Sequence, residues 1–139
     1  MMAAVTAAFF TQAKAQCLVH VKYIANKMEI YDSTMTLTST KDDGQFVFET
    51  TEKGFTGTHD GNDEEALHGT LKTLTCNWGK PFIDGKIVMV CDVDDNHEHI
   101  DGATITIEAI DKKITILMHA KEYPDRIIKL IIDSYEEVK

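Results

Sequence analysis

Past Gln16 the chain is dominated by alternation. In Thr34-Met35-Thr36-Leu37-Thr38 apolar and hydroxyl side chains swap one for one, the period of a pleated strand with Met35 and Leu37 on one face. Phe46-Val47-Phe48 repeats the pattern just beyond Lys41-Asp42-Asp43-Gly44, a hairpin-type turn in which the glycine can take positive φ. Ile87, Met89, Cys91 and Val93 share one face of the next clear strand. Val88 and Val90 occupy its other face, which marks it as central. Thr104-Ile105-Thr106-Ile107 alternates again, and Asp111-Lys112-Lys113 turns the chain into Ile114, Ile116 and Met118. Residues 103–110 and 113–121 are therefore expected as an antiparallel hairpin with Ile105, Ile107, Ile114 and Ile116 in the core. Tyr123-Pro124-Asp125 is a further turn, its proline pre-setting φ.

This pattern predicts strands over 18–24, 28–39, 45–50, 54–59, 70–77, 86–93, 103–110, 113–121 and 126–133. Turn signals at a spacing of about 8–12 residues point to an all-β sandwich or barrel. Two segments read differently. Asn62-Asp63-Glu64-Glu65-Ala66-Leu67-His68-Gly69 has a cap, acids in a first turn and a terminal glycine, which reads as one or two helical turns. Residues 126–137 could form a helix with Ile128, Ile131, Ile132, Tyr135 and Val138 on one side, but the run of isoleucines favours a strand. The expected fold is all-β, or β-rich with one short helix: an antiparallel meander of about eight strands closing into a small barrel or sandwich.

The first fifteen residues have another composition. Met2 to Phe10 is uncharged and rich in Ala and Phe, and Ala13-Lys14-Ala15 follows. An apolar stretch ending in A-x-A is how a secretory signal ends, so residues 1–15 read as a signal peptide and 16–139 as one β-rich domain. No Lys or Arg precedes the apolar run, which allows for a start truncated upstream; a short packed N-terminal helix is the alternative. Lys14 and Gln16 stand where a lipidated Cys17 would need aliphatic and small residues. The expected destination is the secreted or periplasmic space. There, Cys76 and Cys91 could pair if their strands are neighbours, against the alternative of buried free thiols.

Charge narrows the partners. Asp plus Glu number 23 against 14 Lys plus Arg, a net charge of −9. That balance argues against nucleic acid, whose binding rests on clustered cations, and against anionic lipid headgroups. No stretch reaches the roughly 20 apolar residues of a membrane-spanning helix.

Candidate chemistry concentrates in Asp92-Val93-Asp94-Asp95-Asn96-His97-Glu98-His99-Ile100-Asp101. Its opening resembles a calcium loop, but His97 and Ala103 stand where such a loop needs Gly and Glu. His97 and His99 share one side of an extended segment, so with Asp95 or Asp101 they could bind zinc, nickel or copper. The plainer reading is an acidic, solvated hairpin loop. His59-Asp60 and His68 flank the acidic turn at 63–65, yet no G-x-S-x-G, phosphate-cradling glycine loop or C-x-x-C accompanies them. Trp78, with Phe82 close behind, could line a barrel mouth and stack on a ligand, or serve as a core plug. His119 falls out of phase with Ile116 and Met118, toward solvent or a rim.

An export signal followed by about eight short strands resembles the plan of small calycin-type barrels, and that strand number can enclose a cavity. The expectation is a non-enzymatic domain without a cofactor that binds a small apolar ligand or a protein partner. The alternatives are a metal-binding protein or metal-dependent hydrolase centred on loop 92–101, and an acidic inhibitor- or immunity-type module facing a basic partner. Expressed with its native upstream codons, the mature protein should begin at or near Gln16 by N-terminal sequencing; an intact Met1 in the cytoplasm would contradict export.

Overall fold

The structure of the protein, a computed structural model, describes residues 20–61, 66–95 and 97–138. Nine strands follow one another: β1 (Val21–Tyr31), β2 (Leu37–Lys41), β3 (Phe46–Thr51), β4 (Gly54–His59), β5 (Leu67–Lys80), β6 (Asp84–Asp94), β7 (His99–Ile110), β8 (Lys113–His119) and β9 (Ile127–Glu137). Every pairing is antiparallel, sequence neighbours pair from β3 through β9, and β9 returns to pair with β1. The result is a closed eight-stranded barrel with one extra strand, which fits the calycin-like plan. No helix occurs among the described residues. The segment 1–15 and Cys17 lie outside them.

The extra strand corrects two sequence readings. Residues 28–39 are not one strand. Asp32 turns the chain: its Oδ1 accepts the N–H groups of Thr34 (2.9 Å) and Thr36 (3.0 Å) and the Thr34 hydroxyl (2.7 Å), and Met35 sits at φ 63°. A short aspartate closing a turn onto the following backbone overrides the alternation of 34–38, so Met35 and Leu37 are exposed instead of sharing a core face. The second correction is at 41–44, which is no hairpin. β2 and β3 both run antiparallel to β1, β3 along Val21–Ala25 and β2 along Met28–Tyr31. They are two halves of one broken strand. Asp60 holds the break, its Oδ1 accepting the Gln45 N–H and its own N–H donating to the Gln45 carbonyl, both at 2.8 Å.

Bulges keep the apolar face inward. Along β1, Val21, Tyr23 and Ala25 are buried; the ladder to β9 then slips around Ala25, and Met28 takes up the inner phase. Along β5, Leu71 precedes a slip at Lys72, after which Leu74 and Cys76 pack against the core and Trp78 is buried. An extra residue in one strand shifts the side-chain phase by one, which restores an interrupted period-two pattern. Leu67, His68 and Gly69 belong to β5 and not to a helix; positions 62–65 lie outside the described residues. Gly69 has a packing reason: a Cβ there would fall 2.1 Å from the Phe55 ring, so only glycine lets that ring lie across the ladder.

The 126–137 segment is strand β9, and the expected β7–β8 hairpin is present, with Ile107 opposite Ile116 and Ile105 opposite Met118. Its two-residue turn has Asp111 at φ 50° and Lys112 at φ 70°, the twist-matched form for a tight hairpin. Ile105, Ile107, Ile114 and Ile116 are all buried, as are Ile87, Met89, Cys91 and Val93. Ile107→Ala should cost about 2–5 kcal/mol, the range for an unfilled core cavity. Ile110→Ala, at a site 61% exposed, should stay within about 0.5 kcal/mol. Urea unfolding midpoints of the two variants check the pair.

Candidate functional site

The two ends of the barrel are built differently. At one end, Trp78 is buried and meets the edge of Phe82 (ring centroids 5.6 Å apart), and Phe82 stacks on Tyr135 at 4.1 Å. The β5–β6 and β7–β8 turns are tied together there: Lys112 N–H donates to the Ile83 carbonyl (3.0 Å) and Asp111 N–H to Asp84 Oδ1 (3.1 Å). This end is a floor. Trp78 and Phe82, suggested by the sequence as ligand contacts at a mouth, are its plug, because β5 carries Trp78 to the end opposite Leu67, where the cavities open.

At the other end, β1, β4, β6 and β8 stop and β3, β5, β7 and β9 begin. A cavity of about 250 Å³ lies here among Phe46 and Phe48 of β3, Ile116 and Met118 of β8, and Ile128 and Leu130 of β9. Met28, Ile30 and Leu67 add to the apolar wall, while Lys41, His59 and Arg126 also line it. A second cavity of about 140 Å³ adjoins it, sharing Leu67, Met118, Arg126 and Ile128 and reaching His119, Tyr123 and Glu98. The Tyr123 hydroxyl donates to Glu98 Oε2, strapping the β8–β9 turn to the β6–β7 loop. That bond and the neighbouring acids hold the phenol above its usual pKa.

His59 and His68, which flank the acidic turn in sequence, are both strand residues. His59 ends β4, stacks on Phe46 at 4.3 Å, and keeps a buried Nε2 without a hydrogen-bond partner, 3.6 Å from Asp60 Oδ2. His68 sits in β5 opposite Asp94. The exposed His119 lines the second cavity, a rim position as its register implies.

In the acidic loop, Asp95, His99 and Asp101, three of the four residues suggested as metal ligands, engage other groups of the protein. Asp95 Oδ1 accepts the N–H groups of His97 and Glu98, both at 2.6 Å, and these backbone donors hold its carboxyl below the ordinary range. His99 lies between two carboxylates, Nδ1 2.5 Å from Asp94 and Nε2 2.7 Å from Asp101. Ionised carboxylates only accept, so both ring nitrogens donate and the imidazole is held as its cation. A metal binds the neutral ring, so one binding at His99 would have to displace a proton that Asp94 and Asp101 hold in place. Among the described residues no group of three or more such side chains is arranged to hold a metal.

Nor are the strand cysteines brought together. Cys91 faces Leu71 and Cys76 faces Ile87 across the same ladder, several residues apart along strands that rise about 3.3 Å per residue. A bridge between them is excluded by distance. Cys91 is a buried free thiol whose pKa burial pushes up to about 11.

The chain matches no protein-family model, no curated protein and no solved structure.

Sequence reasoning missed Lys41, Arg126 and the Phe46–Ile128 wall, because strands far apart in sequence supply them. One signal was available: Arg126 is the sole arginine of the chain and directly follows the Tyr123-Pro124-Asp125 turn.

The hydrogen bonds to Asp94 and then Asp101 raise the His99 pKa to about 9. A folded-state pKa above the unfolded value of about 6.5 means the contribution to stability is complete below about pH 6.5 and is lost as pH rises through 9. NMR titration of the His99 ring should show a midpoint near 9, returning to about 6.5 in Asp94→Asn/Asp101→Asn. A wild-type midpoint near 6.5 would contradict the bracketed ring.

Proposed function

We propose that this protein is a secreted or periplasmic, non-enzymatic barrel that binds a small apolar ligand in its open mouth. The observation that carries the reading is the cavity itself, walled by Phe46, Phe48, Ile116, Met118, Ile128 and Leu130 and open at one end of a barrel floored at the other. Ligand pockets are concave, mostly apolar and carry a few polar groups, and the two adjoining cavities together reach the lower end of the usual range of about 300–1,000 Å³. Export draws support from Cys76, which is disulfide-bonded, since such bonds persist in oxidising compartments. Binding is favoured by the make-up of the larger cavity: most of its wall is hydrocarbon, and its histidine, His59, is stacked on Phe46.

The test is whether the mouth takes up an apolar molecule. The neutral fluorophore N-phenyl-1-naphthylamine should brighten on binding the wild-type protein, and Met118→Trp, which fills the junction of the two cavities, should abolish the signal. Native mass spectrometry of protein purified from its own host should show a small-molecule adduct released by organic solvent. No brightening, or brightening that Met118→Trp leaves intact, would overturn the reading.

A further inference from the structure

Resting on the reading of the mouth as an apolar ligand site, we infer that the ligand carries a carboxylate, held by Arg126 with Lys41, while its hydrocarbon body enters the barrel. Both side chains are exposed and both line the larger cavity. They reach it from different elements. Lys41 ends β2, opposite Met28 of β1, and Arg126 stands at the entry to β9, its N–H donating to the Tyr123 carbonyl at 3.1 Å.

What sets these cations apart is their place at the lip of an apolar cavity, where several of the surrounding acids are already engaged. Around the mouth, Asp95 accepts two backbone N–H groups and Glu98 accepts the Tyr123 hydroxyl. Asp60 is bonded to Gln45, and Asp125 accepts the Ser33 N–H at 3.4 Å. Asp94 and Asp101 bracket His99. Elsewhere on the barrel three lysines pair with acids, Lys27 with Glu29, Lys72 with Asp92 and Lys86 with Glu108, while the described lysines other than Lys41 line neither mouth cavity. Neither Lys41 nor Arg126 forms an ion pair among the described residues, in a chain whose acids exceed its bases by nine. Two cations from different elements, brought to the lip of one apolar cavity, leave a place for an anion brought from outside.

The chemistry selects a carboxylate. A guanidinium presents parallel donors that match both oxygens of a carboxylate, and Lys41 adds a compact point charge. The wall beyond is hydrocarbon, so the remainder of the molecule is apolar. The ligand class is an amphipathic monocarboxylic acid whose tail fits the mouth cavities.

Decanoate and decan-1-ol share an alkyl tail and differ in the head group, so isothermal titration with each separates the two parts of the site. Wild-type protein should bind decanoate at least tenfold more tightly than decanol, roughly the return from one charge-assisted contact. That ratio should fall close to one in Arg126→Gln/Lys41→Gln, whose exposed substitutions leave the barrel folded. Raised salt should shrink the wild-type ratio. Equal binding of acid and alcohol by wild-type protein, or a preference that survives the double substitution, would overturn the carboxylate while leaving the apolar site standing. Binding of neither would overturn both.

Discussion

Closure of the sheet, the pairing of β9 with β1, is the constraint on which everything else depends. An open antiparallel sheet of this length would leave two rows of unpaired N–H and C=O groups, which invite pairing with another chain. Here β9 pairs with β1 along its whole length, from Val21–Glu137 to Tyr31–Ile127, and the Val138 N–H donates to the His20 carbonyl (2.8 Å) where the seam ends. Once the seam is made, one side of every barrel strand faces a common interior. The buried set follows directly: Tyr23, Phe48, Ile105, Ile107 and Ile116 come from strands spread over nearly the whole described chain and meet in one cluster.

Closure also demands bulges. Strands in a small barrel must tilt and coil, and each place where the ladder slips is where the chain departs from strict alternation. Around Ala25 and Lys72 an out-of-phase residue is absorbed without turning the apolar face outward. The break between β2 and β3 does the same on a larger scale. It leaves β2 as the one uncovered edge among the described residues, and that edge is short, with serine, threonine and lysine along it, features that blunt an edge against unwanted pairing.

The asymmetry of the two ends explains why a largely apolar cavity opens at the mouth. At the floor, Trp78, Phe82 and Tyr135 supply enough aromatic volume to fill the taper, and two turns are hydrogen-bonded across it. At the mouth, Phe46 and Phe48 lie on one side, and across from them stand single aliphatic or thioether side chains such as Met28, Leu67, Met118 and Ile128, which leave the centre unfilled. Polar groups gather around this opening in committed pairs, Tyr123 with Glu98 and His99 with Asp94 and Asp101, so loops rich in carboxylates are held in place despite their mutual repulsion.

Local sequence determined the strands that alternate cleanly. The faces of β6, β7 and β8 were legible residue by residue, because period-two burial leaves its mark wherever a strand has one dry side, and the strand count with its turn spacing was enough to name a barrel or sandwich. Tertiary structure decided the rest. Thr34 to Thr38 alternates as a strand does, yet the Asp32 side chain turns that backbone, a competition between local signals that period alone does not rank. Loop 92–101 displayed metal-ligand spacing, but whether His99 offers a lone pair or donates from both nitrogens depends on where Asp94 and Asp101 lie in space. Trp78 could serve as plug or platform until the direction of β5 placed it at the floor. The mouth itself was invisible from sequence, since its walls are assembled by closure from strands that local pattern cannot rank as neighbours, and Lys41 and Arg126 line one cavity only because β2 and β9 flank the same strand, β1.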